Sequence, residues 1–169
     1  LDDPVIQGVV VNCRDVSDRV AAEAAQRLSE QVFQAIFEQS AVGMAQLSLD
    51  GTYIKVNPAF CQLVGYHADE LIGEHFAKIT HPEDLGYDRR MSAAVARGDV
   101  PSQTIDIRFV CADHSVRHVQ VVMTAVQSDQ GRPAFWTSVY NDMTEQLLAE
   151  RSLRNIVEGT ASVSGAAFF

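Results

Sequence analysis

Met44-Ala45-Gln46-Leu47-Ser48-Leu49-Asp50-Gly51-Thr52-Tyr53-Ile54-Lys55-Val56-Asn57-Pro58 sets two short apolar runs on either side of an Asp-Gly pair and closes on Asn-Pro. Runs of this length bounded by turn residues predict strands over 44–49 and 52–56. The Asp50-Gly51 pair predicts a tight hairpin with positive φ at both central positions. Asn57-Pro58 then opens a short helix over 58–64, closed by Gly65, because proline is tolerated in a first helical turn. A second helical turn fits 68–71, with Gly73 beyond it. Further on, Pro82-Glu83-Asp84 puts a proline and two acids into the first turn of a longer helix that ends near Arg97, before Gly98.

Three longer strands follow, over about 103–111, 116–127 and 134–141. Ile105, Ile107, Phe109 and Cys111 alternate with Thr104, Asp106, Arg108 and Val110, and Val119, Val121, Met123 and Ala125 form a similar set. Trp136 and Tyr140 share one face of the last strand, opposite Phe135, Thr137 and Val139. A period of two with one apolar face predicts an antiparallel sheet buried on one side. The order strand, strand, helices, then three strands makes the fold class α+β: a five-stranded antiparallel sheet with helices on one face.

Outside this body the chain repeats itself. An apolar run ends at Asp15, another ends at Asp142, and a helix-forming stretch follows each. Residues 16–38 lack Gly and Pro and read as a linker helix with a thin seam of Ala21, Ala25, Leu28, Val32 and Ala35. This seam is expected to pair two copies of the chain modestly, or else to pack on the following domain. A second helix is expected over 143–157, presenting Leu147, Leu148, Leu153 and Ile156. Asp142 is placed to accept from its free N–H groups, and Glu145 to reach back in a capping box. Asp15 and Asp18 repeat that chemistry at the first exit.

The formal charge of −9 argues against a nucleic-acid surface, which is basic. No basic cluster suggests anionic lipid, and no apolar run approaches the length of a membrane span. Cys13, Cys61 and Cys111, an odd number at unrelated spacings, suggest reduced thiols in a cytoplasmic protein. The start at Leu1, without a leader, is expected of an excerpt from a longer protein.

Several fragments in order then carry a resemblance. They are Phe37-Glu38-Gln39-Ser40-Ala41-Val42-Gly43-Met44, Leu49-Asp50-Gly51, Val56-Asn57-Pro58-Ala59-Phe60 and Leu63-Val64-Gly65-Tyr66. Glu70-Leu71-Ile72-Gly73, His81-Pro82-Glu83-Asp84-Leu85 and Asp142-Met143-Thr144-Glu145 complete the series. Together they resemble a PAS domain of the bacterial multidomain sensor type, over 33–142. By the same resemblance, 1–15 is the terminal strand of a preceding PAS domain, and 158–169, which include Phe168 and Phe169, begin a GAF domain. Three departures stand out: Asp113-His114 where the family has Asp-Gly, His67 where Ser or Thr often caps, and Asp106 where Glu is common. The His114 tip is expected to differ most, since His tolerates positive φ less easily than Gly.

The resemblance implies a regulatory module rather than an enzyme. Flavin-binding relatives use a Cys in an Asn-Cys-Arg setting on a core helix, whereas Asn12-Cys13-Arg14 stands just before Asp15 and 73–98 contain no Cys. Haem-binding relatives place an axial His on the long helix, and 83–97 contain none, His81 belonging to the helix entrance. Haem and flavin are therefore not expected, and the cofactor is none or an unknown small molecule. His67, His75, His114 and His118 lack the close spacing of a zinc site, so no metal is expected. No phosphate loop, nucleophile elbow or kinase-type lysine motif is present, so no catalytic residue is expected. Alternation and family position offer Phe60, Leu63, Met91, Ile107, Phe109, Val121, Met123, Trp136 and Tyr140 as walls of a small-ligand cavity, or simply as core. Asp15, Asp142, Thr144 and Glu145 are the expected relay residues. Two readings follow: a signal-relay module between PAS and GAF neighbours of a histidine kinase or diguanylate cyclase, working as a homodimer through its flanking helices, or a ligand-free dimerisation spacer.

Overall fold

A computed structural model describes residues 17–164, and the side chains of 19–156. The strand expected over 1–15, the relay residue Asp15, and Phe168 and Phe169 lie outside the described residues. The chain divides into two units, one through Ile36 and one from Phe37 onward. Helix α1 (Ser17–Gln39) accounts for the described part of the first, and its residues 19–36 are all exposed.

The second unit holds strands β1 (Gly43–Leu47) and β2 (Tyr53–Val56), then helices α2 (Pro58–Val64) and α3 (Ala68–Leu71). A 3-10 turn (Phe76–Lys78) and helix α4 (Leu85–Ala96) follow. Strands β3 (Ser102–Val110), β4 (Val116–Gln127) and β5 (Pro133–Asp142) lead to helix α5 (Thr144–Ser164). The sheet has the order β2-β1-β5-β4-β3 with every neighbouring pair antiparallel. β5 is therefore central, with Met44↔Val139 on one side and Val122↔Val139 on the other.

The alternation read from the sequence is the burial pattern. Ile105, Ile107, Phe109, Val119, Val121, Met123, Trp136 and Tyr140 face inward. Phe60 and Val64 of α2, Leu71 of α3, Phe76 and Ile79 around the 3-10 turn, and Val95 of α4 cover them. Each such side chain, fully buried, contributes about 1.5–3 kcal/mol of hydrophobic stabilisation. Asn57, itself wholly buried, ties three segments together. Its Oδ1 accepts from Met44 N (2.8 Å) and Phe60 N (2.9 Å), and its Nδ2 donates to Phe37 O (3.0 Å) and Val42 O (2.9 Å).

Three local expectations are corrected. In the Asp-Gly hairpin only Gly51 has positive φ (+92°), and β1 ends at Leu47. Ser48 N donates to Thr52 O and Gly51 N to Ser48 O, closing a three-residue loop with its left-handed residue last. The register slips by one residue between Gln46 and Leu47 to accommodate it. Second, α4 begins at Leu85, leaving Pro82, Glu83 and Asp84 in the approach. Asp84 binds β3 instead of the helix terminus: it accepts from Arg108 N (2.8 Å), Nε (2.9 Å) and Nη2 (2.8 Å). Third, α5 continues to Ser164, well past 157. At the 111–115 hairpin, His114 itself takes the left-handed position at φ +65°, and Asp113 Oδ1 accepts from Ser115 N (2.9 Å).

Candidate functional site

Between the inner sheet face and the helices lies a cavity of about 20 Å³. That volume suits a single water. Six of the nine expected wall residues line it: Ile107, Phe109, Val121, Met123, Trp136 and Tyr140. Phe60 lies behind the wall, its ring stacked on Tyr140 at 4.2 Å and tilted against Tyr53 at 5.6 Å. Leu63 and Met91 are partly buried and pack against the core without lining the cavity. Met91 flanks the α4 stripe that turns inward, which runs through Asp88, Ser92 and Val95.

The sequence reading missed the polar part of the wall: Tyr53, Thr80, Asp88, Ser92 and Ser138. The signal was available for two of them. Leu85, Asp88, Ser92 and Val95 recur at three- and four-residue steps, so a carboxylate and a hydroxyl share the helix face that must be buried. Burial raises the Asp88 carboxyl above the ordinary Asp value, against the lowering effect of its bonds with Thr80 and Ser92. Thr80 Oγ1 lies 2.9 Å from Asp88 Oδ2 and 3.1 Å from Phe76 O. A hydroxyl has one proton to give. Thr80 Oγ1–H is shared between Asp88 Oδ2 and Phe76 O, and Ser92 Oγ–H between Asp88 O (2.7 Å) and Oδ1 (3.0 Å). The Tyr53 and Tyr140 phenols and Ser138 line the same cavity. Desolvation raises both phenols, so they stay neutral donors.

One buried polar atom stands alone among the described residues: Trp136 Nε1, on a residue 2% exposed. An indole N–H without an acceptor in the core costs about 1–3 kcal/mol.

The strand that carries Trp136, Ser138 and Tyr140 ends in a joint with α5. Asp142 Oδ1 accepts from Thr144 N (2.9 Å), and Oδ2 receives Arg117 Nη1 at 2.7 Å. Burial alone would raise the Asp142 carboxyl, but its bonds with Thr144 and Arg117 outweigh that and hold it below the ordinary value. Thr144 Oγ1 accepts from His118 N (2.9 Å), and Met143 N donates to His118 O (2.8 Å). Glu145 stands in the first turn of α5. The tie that sequence reasoning missed is therefore Arg117, on β4. Met143 and Leu147 also line a groove of about 320 Å³ with Asp106, His118 and Gln120, residues of the sheet's outer face. Among the described residues, no group of three or more His, Cys, Asp and Glu could hold a metal ion, and no helix is long and apolar enough to cross a membrane.

A five-stranded antiparallel sheet of order β2-β1-β5-β4-β3, with short helices packed over one face around a small core cavity, defines an α+β fold of the PAS type. The PAS fold family model matches residues 53–140, more than half of the chain, and the chain belongs to the PAS family. It is 28% identical over 130 residues to the probable diguanylate cyclase DgcE of Escherichia coli, covering 77% of this chain and 12% of that protein. It is 32% identical over 146 residues to the C4-dicarboxylate transport sensor protein DctS of Rhodobacter capsulatus, covering 83% of this chain and 21% of that one. The chain thus spans between about an eighth and a fifth of these relatives' length. The crystal structure of a PAS domain from Colwellia psychrerythraea superposes with a TM-score of 0.63 at 18% identity, over 70% of this chain and 98% of that domain. The family is a sensory and regulatory fold, not a catalytic one.

Proposed function

We propose that this segment relays a signal from its core, or from a neighbouring domain, to α5 within a cytoplasmic signalling protein of the histidine kinase or diguanylate cyclase type. Adjacent PAS and GAF domains would be the neighbours, and α1 and α5 would pair two copies. One observation carries the reading: the central strand that walls the cavity with Trp136, Ser138 and Tyr140 ends in the clamp of Asp142 to Thr144 and Arg117. A change in the packing of β5 reaches α5 through that clamp. The exposed Leu28 and Val32 of α1, and Leu148 and Leu153 of α5, support helix pairing. A core cavity the size of one water favours the second reading, a ligand-free dimerisation spacer.

The test is Asp142→Asn in the full-length parent protein. The amide keeps an acceptor for Thr144 N but loses the ion pair with Arg117, whose side chain is 42% exposed. A pair this exposed contributes about 0.2–1 kcal/mol, so a two-state relay biased by it moves up to about fivefold in its ratio. Basal output is expected to shift by that factor with the melting temperature of the domain nearly unchanged. Output identical to the parent at every signal level would leave the spacer reading.

A further inference from the structure

Asp88 is an acid that the fold has taken out of water and given no cation. It is 5% exposed, lies on the α4 stripe that carries Ser92 and Val95 inward, and lines the inner cavity. Two hydroxyls reach its carboxyl, Thr80 Oγ1 at Oδ2 (2.9 Å) and Ser92 Oγ at Oδ1 (3.0 Å). Each has a backbone carbonyl as a competing acceptor, Phe76 O at 3.1 Å and Asp88 O at 2.7 Å. Two hydroxyl protons therefore serve four oxygens, and among the described residues no ion pair includes Asp88. An ionised carboxylate is costly on those terms, and taking up a proton removes the charge.

The groups around it do not cancel that cost. Tyr53 of β2 and Ser138 and Tyr140 of β5 share the cavity as neutral groups, and β3 and β4 add no titratable side chain to its wall. Arg89 and Arg90, its neighbours on α4, are exposed. His75, which caps the 3-10 turn, favours the carboxylate, and Asp84, on the approach to α4, opposes it. Desolvation outweighs the two hydroxyls and His75 and lifts the Asp88 carboxyl above its ordinary value. The cavity beside it, about 20 Å³, has room for one water, so fuller solvation of a charge there requires α4 to move off the sheet. The side chains that hold α4 in place are the same ones: Thr80 ties Asp88 to the 3-10 turn, and Ser92 Oγ lies 3.6 Å from Met123 Sδ of β4.

We propose that the proton on Asp88 is a pH switch in the core: with it, α4 packs against the sheet, and its loss draws water into the cavity and shifts α4 against the β5 wall of Ser138 and Tyr140. This deepens the relay reading and rests on it for any effect on α5, while the switch itself is read inside the domain.

The test follows the Asp88 Cγ resonance of the ¹³C,¹⁵N-labelled 169-residue protein with pH, assigned through its own side chain. Its midpoint is expected above the ordinary Asp value of about 3.9. The Ser92 amide and the indole N–H of the single tryptophan, both at the cavity, are expected to shift with the same midpoint. That step should vanish in Asp88→Asn and persist in His75→Gln, which separates it from titration of the imidazole. An Asp88 midpoint at or below about 3.9 overturns the proposal. So do Ser92 and indole resonances that stay still while Cγ titrates, a result that needs no variant to fold, and so does a step that persists in Asp88→Asn. The Thr144 amide reads the relay separately. Its partner Asp142 is held below the ordinary Asp value, so a step there above about 3.9 belongs to Asp88. Core steps with no such step at Thr144 support the switch and remove the relay. A silent core with an Asp142→Asn output shift does the reverse.

Discussion

Asn57→Ala tests how one buried amide ties Phe37, Val42 and Met44 to the start of α2. The amide makes four hydrogen bonds, which fills its two donors and both acceptor lone pairs. Truncation strands the N–H groups of Met44 and Phe60 and removes one donor each from the carbonyls of Phe37 and Val42, the latter keeping Ser40 Oγ at 3.1 Å. Phe60 N is the capped donor of α2, and losing an Asn cap costs typically about 1 kcal/mol. Each further buried group left unpaired costs about 1–3 kcal/mol, less where water can enter, and the Met44 and Val42 bonds are only part-buried. The sum is about 3–5 kcal/mol, a large share of the 5–15 kcal/mol typical of a domain. Urea unfolding at pH 7, followed by the fluorescence of the single tryptophan, measures it. Asn57→Asp sharpens the test, since its carboxyl keeps the two acceptor contacts but sets an oxygen against the carbonyls of Phe37 and Val42. Only a protonated Asp can donate there, so its folded pKa rises above the unfolded value of about 3.9. The variant's stability relative to the parent is then greatest below that value and falls as pH rises through the folded pKa. A loss under about 1 kcal/mol for Asn57→Ala, or parental stability of Asn57→Asp at pH 7, refutes the anchoring argument.

Asp88→Asn addresses the buried acid. Because burial raises the folded pKa, the parent's stability contribution from Asp88 is present at low pH and lost as pH rises through that pKa. The amide variant should therefore gain on the parent as pH rises from about 4 through the raised folded pKa in paired urea titrations, and a difference constant with pH would show that the Asp88 pKa is the same folded and unfolded. Arg108→Met reverses the sign: Arg108 depresses the Asp84 carboxyl, so the stability it brings is present above about pH 4 and lost as pH falls through the lowered folded pKa. The gap between parent and variant should close toward pH 2–3, and thermal melts across that range check it. Gly51→Ala should cost about 2–4 kcal/mol in the same unfolding assay. Its φ of +92° disfavours a side chain, and an added Cβ would meet the Phe76 ring at 2.6 Å and His75 Nε2 at 2.9 Å. A cost under about 1 kcal/mol would mean that the hairpin shifts freely against the 3-10 turn.

The sheet was legible because its inner face follows a period of two: Ile105 and Ile107 pair across to Val121 and Val119, all four buried and apolar, with Phe109 continuing the buried row on β3. The short helices were legible from Asn57-Pro58 and from the glycines that close them. The start of α4 was not, because Asp84 looks the same in sequence whether it caps a helix or binds an arginine 24 residues away. Cavity and core could not be told apart for Phe60, Leu63 and Met91, since alternation reports which way a side chain faces and not how well its neighbours fill the space behind it. Arg117 escaped notice for a similar reason: its partner Asp142 comes close only once β4 and β5 have set their register. Thr80 carried no signal in the sequence, because its partner Asp88 lies eight residues on and meets it only once α4 packs against the core.

That register is also what makes the joint suited to relay. Trp136 and Asp142 lie six residues apart on one strand, roughly 20 Å at the rise of an extended chain. A strand is held in the sheet by its neighbours, so a change in packing at Trp136 cannot bend β5 locally without moving the pairs Ala125↔Trp136 through Val119↔Asp142 on β4. The end of that ladder carries the Asp142–Arg117 pair, joining β5 to the very strand against which it would shift. The Asp142 carboxylate holds both sides of the joint, Oδ1 on Thr144 N and Oδ2 on Arg117 Nη1, so a shift of β5 against β4 strains the bond that holds the start of α5. On this view the size of the inner cavity is an asset. A core that holds no more than a water has little slack to absorb a push at Trp136, so the displacement must appear at the edge, where the helix begins.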